Sequence, residues 1–215
     1  MELESWLRWF RQLPPHLLRD QEALEHIICL SGLCGEKLGE YPPSLWKYTG
    51  GLNIWQYPSE LASYLIFLTT QAQISSYCEI GAKHGGTWIF TTEYLRRFFD
   101  LQTSVALDIV PSSTCAEYSL LNQRAAFRLL PSSSLKGEQF DLILIDGDHS
   151  AVAVQADYDN AIAAGDKLIA FHDIVSEAVP GVPHVWKEIA TGSKHTFVQQ
   201  QLLPRRYFGI GLLIL

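Results

Sequence analysis

Long hydrophobic runs are missing from this 215-residue sequence. The two longest apolar stretches, Leu61–Thr70 and Phe208–Leu215, are shorter than the roughly 18 residues that a membrane-spanning helix needs. The segment Met1–Arg11 also lacks the basic start, apolar centre and small-residue cleavage site of a secretory signal. We therefore expect no membrane partner and a cytoplasmic location.

An excess of positive charge is also absent. The chain carries 16 Lys and Arg residues against 23 Asp and Glu residues, which gives a net charge of −7. This balance lacks the basic surface that sequence-independent binding to nucleic acid requires, so we expect no nucleic-acid partner. The four cysteines form no C-x-x-C pair, which argues against a zinc site or a disulfide framework and favours buried, reduced thiols.

Two regions that differ in composition and in hydrophobic pattern make up the chain. Residues 1–74 are rich in Trp, Leu and Pro, and apolar residues recur at helical spacing from Leu3 to Leu13. Further helices are predicted at Gln21–Leu30 and from Pro58 through Leu61–Thr70. We predict that residues 1–74 form a helical cap and that residues 75–215 form the core domain.

Short β-rich runs alternate with helical stretches after residue 75, which is typical of β-α-β units around a parallel sheet. The five predicted strands are Ser76–Ile80, Ser104–Ile109, Ala126–Leu130, Phe140–Ile145 and Lys167–Phe171. Two further strand-like runs, His195–Gln201 and Tyr207–Leu215, have no room for a helix between them and predict an antiparallel pair at the sheet edge. The predicted fold class is α/β, with a Rossmann-like, doubly wound, mostly parallel seven-stranded sheet.

Ligands of open α/β sheets bind beyond the carboxyl ends of the strands, so the residues at those ends are the candidates for a site. A glycine loop, Glu79–Thr87, follows the first strand and opens a helix. Lys83 stands where the dinucleotide fingerprint G-x-G-x-x-G needs its second glycine, so that fingerprint fails. Gly81 and Gly85 suit either a close approach of the backbone to a ligand or tight packing.

An aspartate, Asp108, ends the second predicted strand. A carboxylate at this point can accept hydrogen bonds from the two hydroxyls of a ribose. The alternative is a helix cap or a solvated loop residue. Together with the glycine loop, Asp108 predicts an adenosine-type cofactor that carries no pyrophosphate.

Titratable residues follow the fourth and fifth predicted strands. Asp146, Asp148 and His149 come after the fourth strand, and His172 and Asp173 come after the fifth. If the two strands are neighbours, these side chains meet at the same edge of the sheet. Carboxylates brought together repel one another unless they share a proton or a cation, and a divalent ion with oxygen and imidazole ligands is the simplest solution. Solvated loop residues are the alternative.

The sequence at these strand ends resembles that of class I S-adenosylmethionine-dependent methyltransferases. The resemblance rests on the motif Glu79-x-Gly81-x-x-x-Gly85-Gly86, on Asp108, and on the runs Phe140–His149 and Phe171-His172-Asp173-Ile174. Residues 50–191 are similar to the branch that includes macrolide-sugar and aminocoumarin-sugar O-methyltransferases and cephalosporin hydroxylase-like proteins. This resemblance implies O-methylation of a hydroxylated small molecule such as a sugar. S-adenosylmethionine would be the methyl donor, and Mg²⁺ or another divalent metal would assist.

The resemblance also implies roles for individual residues. The loop Glu79–Gly85 would pass the methionine part of the cofactor, Asp108 would hold the ribose, and Ser132–Ser134 would contact adenine. The implied cofactor-binding residues are Glu79, Gly81, Ala82, His84, Gly85, Asp108, Ile109, Ser133 and Asp146. The implied metal ligands are Asp146, His172 and Asp173, and the implied catalytic residues are His149 as base and Asp146 as a secondary base. Several relatives carry an acidic residue where this chain has His172, which leaves a softer metal open.

Other interpretations stay open. An Fe(II) oxygenase on the same frame would need Asp146, His172 and a further ligand such as His149. A binding protein would retain the cofactor pocket without turnover. His149 could instead neighbour a helix N-cap, and Trp55–Tyr57 could be packing residues or a wall of the acceptor pocket. The aromatic first helix suits either the core or a contact in a homo-oligomer.

Overall fold

The computed structural model describes residues 2–71, 73–199 and 205–215, and of residues 165–167 it describes the backbone. The helices are α1 (Leu3–Gln12), α2 (Gln21–Ser31), α3 (Pro58–Leu68), α4 (Gly86–Phe98), α5 (Ser113–Leu121), α6 (Ala151–Ala164) and α7 (Gly181–Glu188). The strands are β1 (Ser76–Ile80), β2 (Thr103–Asp108), β3 (Ala125–Leu129), β4 (Phe140–Ile145), β5 (Gly165–Phe171), β6 (Ser193–Phe197) and β7 (Ile210–Ile214). Short 3₁₀ helices lie at Leu38–Glu40, Pro43–Tyr48 and Ser132–Leu135.

All seven strands join one mixed sheet in the order β3-β2-β1-β4-β5-β7-β6. The first five strands pair in parallel, and β7 runs antiparallel to both β5 and β6. The predicted Rossmann-like fold class and the antiparallel pair at the sheet edge are therefore confirmed. The central strands β1 and β4 have the predicted bounds, and all but one residue of each strand is buried.

The C-terminal pair is shorter than predicted. β7 begins at Ile210 and not at Tyr207, because Phe208 and Gly209 adopt positive φ angles of 63° and 88° that a strand does not accommodate. The amide of Phe208 donates a hydrogen bond to Asp173 Oδ1 at 3.0 Å, which holds this turn against the end of β5. The predicted run His195–Gln201 extends into residues 200–204, which lie outside the described residues.

Both faces of the sheet are covered by hydrophobic residues, as expected for parallel strands. Alternate residues of β1 face opposite sides: Tyr77 packs with residues of α1, α2, α3 and α4, whereas Cys78 packs with residues of α6 and α7. All four cysteines are buried free thiols, as the sequence predicted. Among the described helices, every one is too short or too polar to cross a membrane.

The N-terminal helices pack into the same core as the sheet. Trp6 and Phe10 on α1 are at most 1% exposed, and the Trp6 indole donates a hydrogen bond to Ser31 Oγ on α2 at 2.9 Å. Arg11 donates two hydrogen bonds of 2.8 Å to the buried carboxylate of Glu93 on α4. The aromatic residues Trp6 and Phe10 of α1 therefore serve the chain's own core. The predicted division into a cap and a core at residue 74, and a homo-oligomer, stay predictions.

A buried carboxyl group connects α3 to the C-terminal strands. Glu60 is 2% exposed and accepts hydrogen bonds of 2.8 Å from the amides of Gln199 and Gly209. Burial raises the pKa of Glu60 from an ordinary value of 4.5 to about 7, although the two amide donors oppose this rise. Since the amide of Phe208 is held by Asp173 and the amide of Gly209 by Glu60, both carboxyl groups fix the same turn.

We expect Glu60 to make the protein less stable as the pH rises from about 4.5 to about 7. The folded protein binds this proton more tightly than the unfolded chain does, so ionisation above the unfolded pKa costs folding free energy, on the order of 3 kcal/mol in total. Urea denaturation across this pH range should show the fall in wild type and a smaller fall in Glu60→Gln. Glu117→Gln, at an exposed position on α5, is the control and should behave as wild type. Equal pH dependence in all three proteins would contradict the assignment.

Candidate active site

The carboxyl ends of β1, β2, β4 and β5 surround one cavity of about 680 Å³. The neighbouring positions of β4 and β5, on which the predicted convergence of Asp146, His172 and Asp173 depended, are confirmed. This is the edge at which open α/β sheets bind their ligands. The cavity is therefore the candidate active site.

Most of the predicted site residues line this cavity. They are Glu79, Gly81, Ala82, His84, Asp108, Ile109, Asp146, His149, His172 and Asp173. Gly85 and Ser133 are not among the lining residues, whereas Ser132, the neighbour of Ser133, is. The predicted roles of all these residues are proposals that binding experiments must test.

Glycine is needed at Gly81 and at Gly85 for different structural reasons. Gly81 has a φ of 87°, and a Cβ at this position would overlap the carbonyl oxygen of Asp146. Glycine is thus needed where the end of β1 lies against the backbone that follows β4. Gly85, with a φ of 84°, is the N-cap of α4, and a Cβ there would overlap Cys115 Sγ. This contact supports tight packing at Gly85, and its implied role in cofactor binding stays a prediction.

Asp108 stands between two loops at the end of β2. Its Oδ2 accepts a hydrogen bond of 2.6 Å from the amide of Lys83, and its Oδ1 accepts one of 2.8 Å from the amide of Val110. These bonds fix the carboxylate against the glycine loop at the wall of the cavity. A carboxylate has about four lone-pair directions, so Asp108 retains acceptor capacity for a ligand.

Asp146, His149, His172 and Asp173 form one cluster, in which each residue offers a ligand atom within 4.8 Å of the others. Asp146 Oδ1 lies 3.0 Å from His172 Nδ1 and 3.6 Å from His149 Nε2. Asp173 Oδ2 lies 3.2 Å from His149 Nε2 and 3.7 Å from His172 Nδ1. The two acidic and two imidazole side chains therefore alternate around a common centre.

The cluster perturbs the pKa of each imidazole. Interactions with Asp146, and then with Asp173, raise the pKa of His149 from 6.5 to about 10. Burial lowers the pKa of His172, but the negative charges of Asp146 and Asp173 outweigh burial and raise it to about 9. The positive charge of His172 lowers the pKa of Asp146 despite the burial of that carboxyl. Without a bound cation, both histidines are therefore protonated at neutral pH and balance the two carboxylates.

The side chain of His149 faces the cluster, and a neighbouring residue caps α6. Ser150 Oγ accepts a hydrogen bond of 3.3 Å from the amide of Ala153, and Asp148 Oδ1 accepts one of 2.7 Å from the amide of Ser150. These bonds place His149 on a fixed turn beside the cavity. A histidine with a pKa near 10 cannot accept a proton at pH 7, so the base interpretation requires another positive charge to neutralise the carboxylates.

Glu79 is a second carboxyl group of the cavity, and it is 1% exposed. Tyr77 donates a hydrogen bond of 2.6 Å to Glu79 Oε2. Burial raises the pKa of Glu79 well above its ordinary range, and the negative charge of Asp146 adds to the rise. This group therefore favours its neutral form until a positively charged ligand group comes near.

Gln56 is a site residue whose role the sequence did not reveal. It is 1% exposed, and its Nε2 donates a hydrogen bond of 3.2 Å to Asp146 Oδ2. Gln56 thus holds one oxygen of Asp146 and leaves the other to the histidines. Its neighbour Trp55 lines the cavity and donates a hydrogen bond of 2.9 Å to Glu40. Since Gln56 lies 90 residues from Asp146 in sequence, no local pattern could have joined them.

The glycine loop is also held by the N-terminal region. Glu36 lies 2.9 Å from Lys83 Nζ and 2.9 Å from His84 Nε2. The Lys83 ammonium stands 3.9 Å from the ring centre of Trp55, a cation–π contact. Residues before α3 therefore form one wall of the cavity and fix the loop that follows β1.

Comparison with solved structures identifies the fold. An O-methyltransferase from Bacillus cereus in complex with S-adenosylhomocysteine matches with a TM-score of 0.55 at 18% identity, over 99% of this chain and 100% of that one. A Burkholderia thailandensis 1,6-didemethyltoxoflavin-N1-methyltransferase matches with a TM-score of 0.52 at 14% identity, over 73% and 78% of the two chains. A ribosomal protein L11 methylase from Lactobacillus delbrueckii matches with a TM-score of 0.51 at 16% identity, over 72% and 77%. No protein-family model and no curated protein sequence matches the chain.

The chain has the class I methyltransferase fold. This confirms the fold that the sequence resemblance implied. The three matched structures are named as an O-methyltransferase, an N1-methyltransferase and a ribosomal protein methylase. The methyltransferase fold by itself therefore does not select the acceptor atom.

The raised pKa of His149 leads to a pH prediction for the protein in EDTA. Folding raises the pKa of His149 from 6.5 to about 10. Its contribution to stability is therefore fully present below about pH 6.5 and is lost as the pH rises through about 10. We expect the thermal midpoint of wild type to fall by a few degrees across this range. The thermal midpoint of His149→Gln should fall less over the same pH range.

His184→Gln, on the exposed side of α7, is the matched control and should follow wild type. Thermal unfolding followed by circular dichroism measures all three proteins. The assignment is wrong if His149→Gln and His184→Gln show the same pH profile.

Proposed function

We propose that this protein transfers a methyl group from S-adenosylmethionine to a hydroxyl group of a small acceptor, with a divalent metal ion at the acidic cluster. The observation that carries the proposal is a single cavity that joins the glycine loop and Asp108 to the cluster of Asp146, His149, His172 and Asp173. Such a cavity can hold a nucleoside cofactor at one end and an acceptor at the other.

The residues of the cavity fit the cofactor. Its volume of about 680 Å³ lies within the range of about 300–1,000 Å³ typical of ligand pockets. Gly81 lines the cavity at the end of β1, and Asp108 offers carboxylate lone pairs to a ribose diol. The neutral Glu79 carboxyl lies where the charged methionine end would enter, and a nearby cation would favour its ionised form.

The residues of the cluster also fit a divalent ion. The four ligand atoms lie within 4.8 Å of one another, close to the spacing around an ion with bonds of about 2.1 Å. The buried Nε2 of His172 makes no hydrogen bond to the described residues, so this imidazole has a nitrogen to spare. Asp146, His172 and Asp173 would hold the ion, and His149 would stay unbound as the base. An imidazole among the ligands suits Mn²⁺, Fe²⁺ or Zn²⁺ better than Mg²⁺, which prefers oxygen ligands.

In the proposed mechanism, the protein mainly orients the reactants. S-adenosylmethionine supplies an electrophilic methyl group, and a metal ion at the cluster would lower the pKa of an acceptor hydroxyl. The fixed glycine loop and Asp108 hold the donor, while Asp146 and Asp173 hold the acceptor end. Alignment of oxygen, methyl carbon and sulfur supplies much of the rate. His149, at the wall of the cavity, takes the hydroxyl proton once the carboxylates are neutralised.

Aromatic side chains support a sugar or a similar hydroxylated ring as the acceptor. Trp55, Tyr207 and Phe208 line the cavity, and Phe208 packs against His172 with ring centres 5.7 Å apart. Aromatic faces give large apolar contact areas, which suit the C–H faces of a sugar ring. Vicinal hydroxyls on such a ring would reach the cluster together.

A second candidate function is an Fe(II) oxygenase, and the cluster itself favours it. His149, His172 and Asp146 together provide two imidazoles and one carboxylate, the ligand set of non-haem Fe(II) oxygenases. Oxygen consumption that depends on added Fe²⁺, in a protein that does not bind S-adenosylmethionine, would favour this candidate.

Calorimetry with S-adenosylmethionine and S-adenosylhomocysteine tests the cofactor site. We expect micromolar dissociation constants in wild type, because several groups of the cavity are already in place. Asp108→Ala should weaken binding by about 10–100-fold, since the ribose loses its acceptor. Asp100→Ala, at an exposed carboxylate before β2, is the control and should bind as wild type does. Absence of binding in wild type would overturn the proposed function.

His149→Ala tests the base assignment. Release of S-adenosylhomocysteine is measured over a panel of sugars, nucleotide sugars and catechols, with Mn²⁺ or Mg²⁺ present. Loss of a general base lowers turnover by about 10²–10⁴-fold, whereas S-adenosylhomocysteine affinity should stay within about threefold of wild type. His184→Ala should retain full turnover. A His149→Ala protein with unchanged turnover would rule out its role as base.

A further inference from the structure

One end of the cavity contains an acidic side chain that the proposed chemistry does not use. Asp157 lies in the middle of α6 and lines the cavity together with Ser132, which follows β3. The apolar side chains of Ile109 and Leu130 line the same end, and Ala153 of α6 lines it as well. Ser132 follows β3, the neighbour of β2 in the sheet, so this end of the cavity is adjacent to Asp108.

The carboxylate of Asp157 is held in a fixed position. Ser132 Oγ donates a hydrogen bond of 2.5 Å to Asp157 Oδ1, and Asn160 Nδ2 donates one of 3.0 Å to Ser132 Oγ. A Cβ built at Gly147 would lie 2.8 Å from Asp157 Oδ2, so this oxygen rests against the backbone that follows Asp146. The network fixes Oδ1 and orients Oδ2.

Asp157 Oδ2 is an acceptor without a donor. Among the side chains that the structure describes, which do not include those of residues 165–167, none donates a hydrogen bond to this oxygen and no Lys or Arg pairs with Asp157. The residue is half-buried, and burial raises the pKa of its carboxyl above the ordinary value while Ser132 opposes the rise. This oxygen faces the cavity, so an N–H group of a bound ligand could donate a hydrogen bond to it.

A purine fits the chemistry of this end of the cavity. Ile109, Leu130 and Ala153 provide apolar contacts for the faces of a flat ring. Asp157 Oδ2 provides an acceptor for a donor on the edge of that ring. Adenine has such a donor, its exocyclic 6-amino group, and the ribose-binding role proposed for Asp108 places the base in the direction of Ser132.

We infer that Asp157 is the residue that selects the base of the cofactor, by accepting a hydrogen bond from the 6-amino group of adenine through Oδ2. This inference rests on the proposed function, since it assumes that S-adenosylmethionine occupies the cavity. It gives Ser132 the role of orienting Asp157. It also places recognition of the base on α6, whereas the sequence resemblance placed it on Ser132–Ser134.

The test is a cycle between Asp157 and the 6-amino group, measured by calorimetry. The two ligands are S-adenosylhomocysteine and its 6-deamino analogue, in which purine replaces adenine. Wild type should bind the deamino analogue about 10–100-fold more weakly, because a charge-assisted hydrogen bond is lost and the acceptor stays unpaired. Asp157→Ala should bind the two ligands with nearly equal affinity.

Two further variants complete the design. Asp157→Asn keeps the shape and an acceptor oxygen but not the charge, so its preference for the 6-amino ligand should fall between those of wild type and Asp157→Ala. Asp159→Ala removes a carboxylate from the exposed face of the same helix, where Gln155 donates to it at 2.9 Å, and should retain the wild-type preference. Thermal unfolding checks that each variant is folded.

Each outcome decides the inference. Equal affinity of wild type for the two ligands overturns it without the use of any variant, while the cofactor site itself stands. A wild-type preference that persists in Asp157→Ala assigns recognition of the 6-amino group to another residue and also overturns it. Failure of wild type to bind S-adenosylhomocysteine removes both the proposed function and the inference.

Discussion

The site depends on how closely β1 and β4 approach each other at their carboxyl ends. Gly81 permits this approach, and the amide of Asp146 donates a hydrogen bond of 2.8 Å to the carbonyl of Ile80. The contact fixes the backbone of Asp146 at the centre of the sheet edge. Asp146 then places its two oxygens toward different partners, Gln56 on one side and His172 on the other. A side chain at position 81 would displace all of these contacts.

The cluster around Asp146 is balanced in charge, and this balance decides its chemistry. Two carboxylates and two protonated imidazoles neutralise each other, as the raised pKa values of His149 and His172 indicate. A divalent cation can replace the two protons with little change in net charge. The same arrangement would hold a metal ion and leave His149 free to act as a base.

Side chains of the N-terminal region hold residues of the site in position. Gln56 fixes Asp146, Glu60 fixes the turn at Gly209, and Glu36 holds the side chains of Lys83 and His84. The sequence showed these residues as a helical cap with no readable motif, because each acts through a partner far along the chain. The glycine loop, Asp108 and the strand-end carboxylates were readable, since each follows a strand directly and parallel strands end at one edge.

The sequence by itself determined the class of fold, the order of helices and strands, and the edge at which the site lies. Alternation of strand and helix patterns fixes these, because the period of burial is a local property of the chain. Only the tertiary structure decided which side chains meet, that Gly85 packs against Cys115, and that Asp157 rests beside Ser132 with a free acceptor oxygen. Those contacts join residues 25 to 90 positions apart, and their distances depend on how helices pack on the sheet.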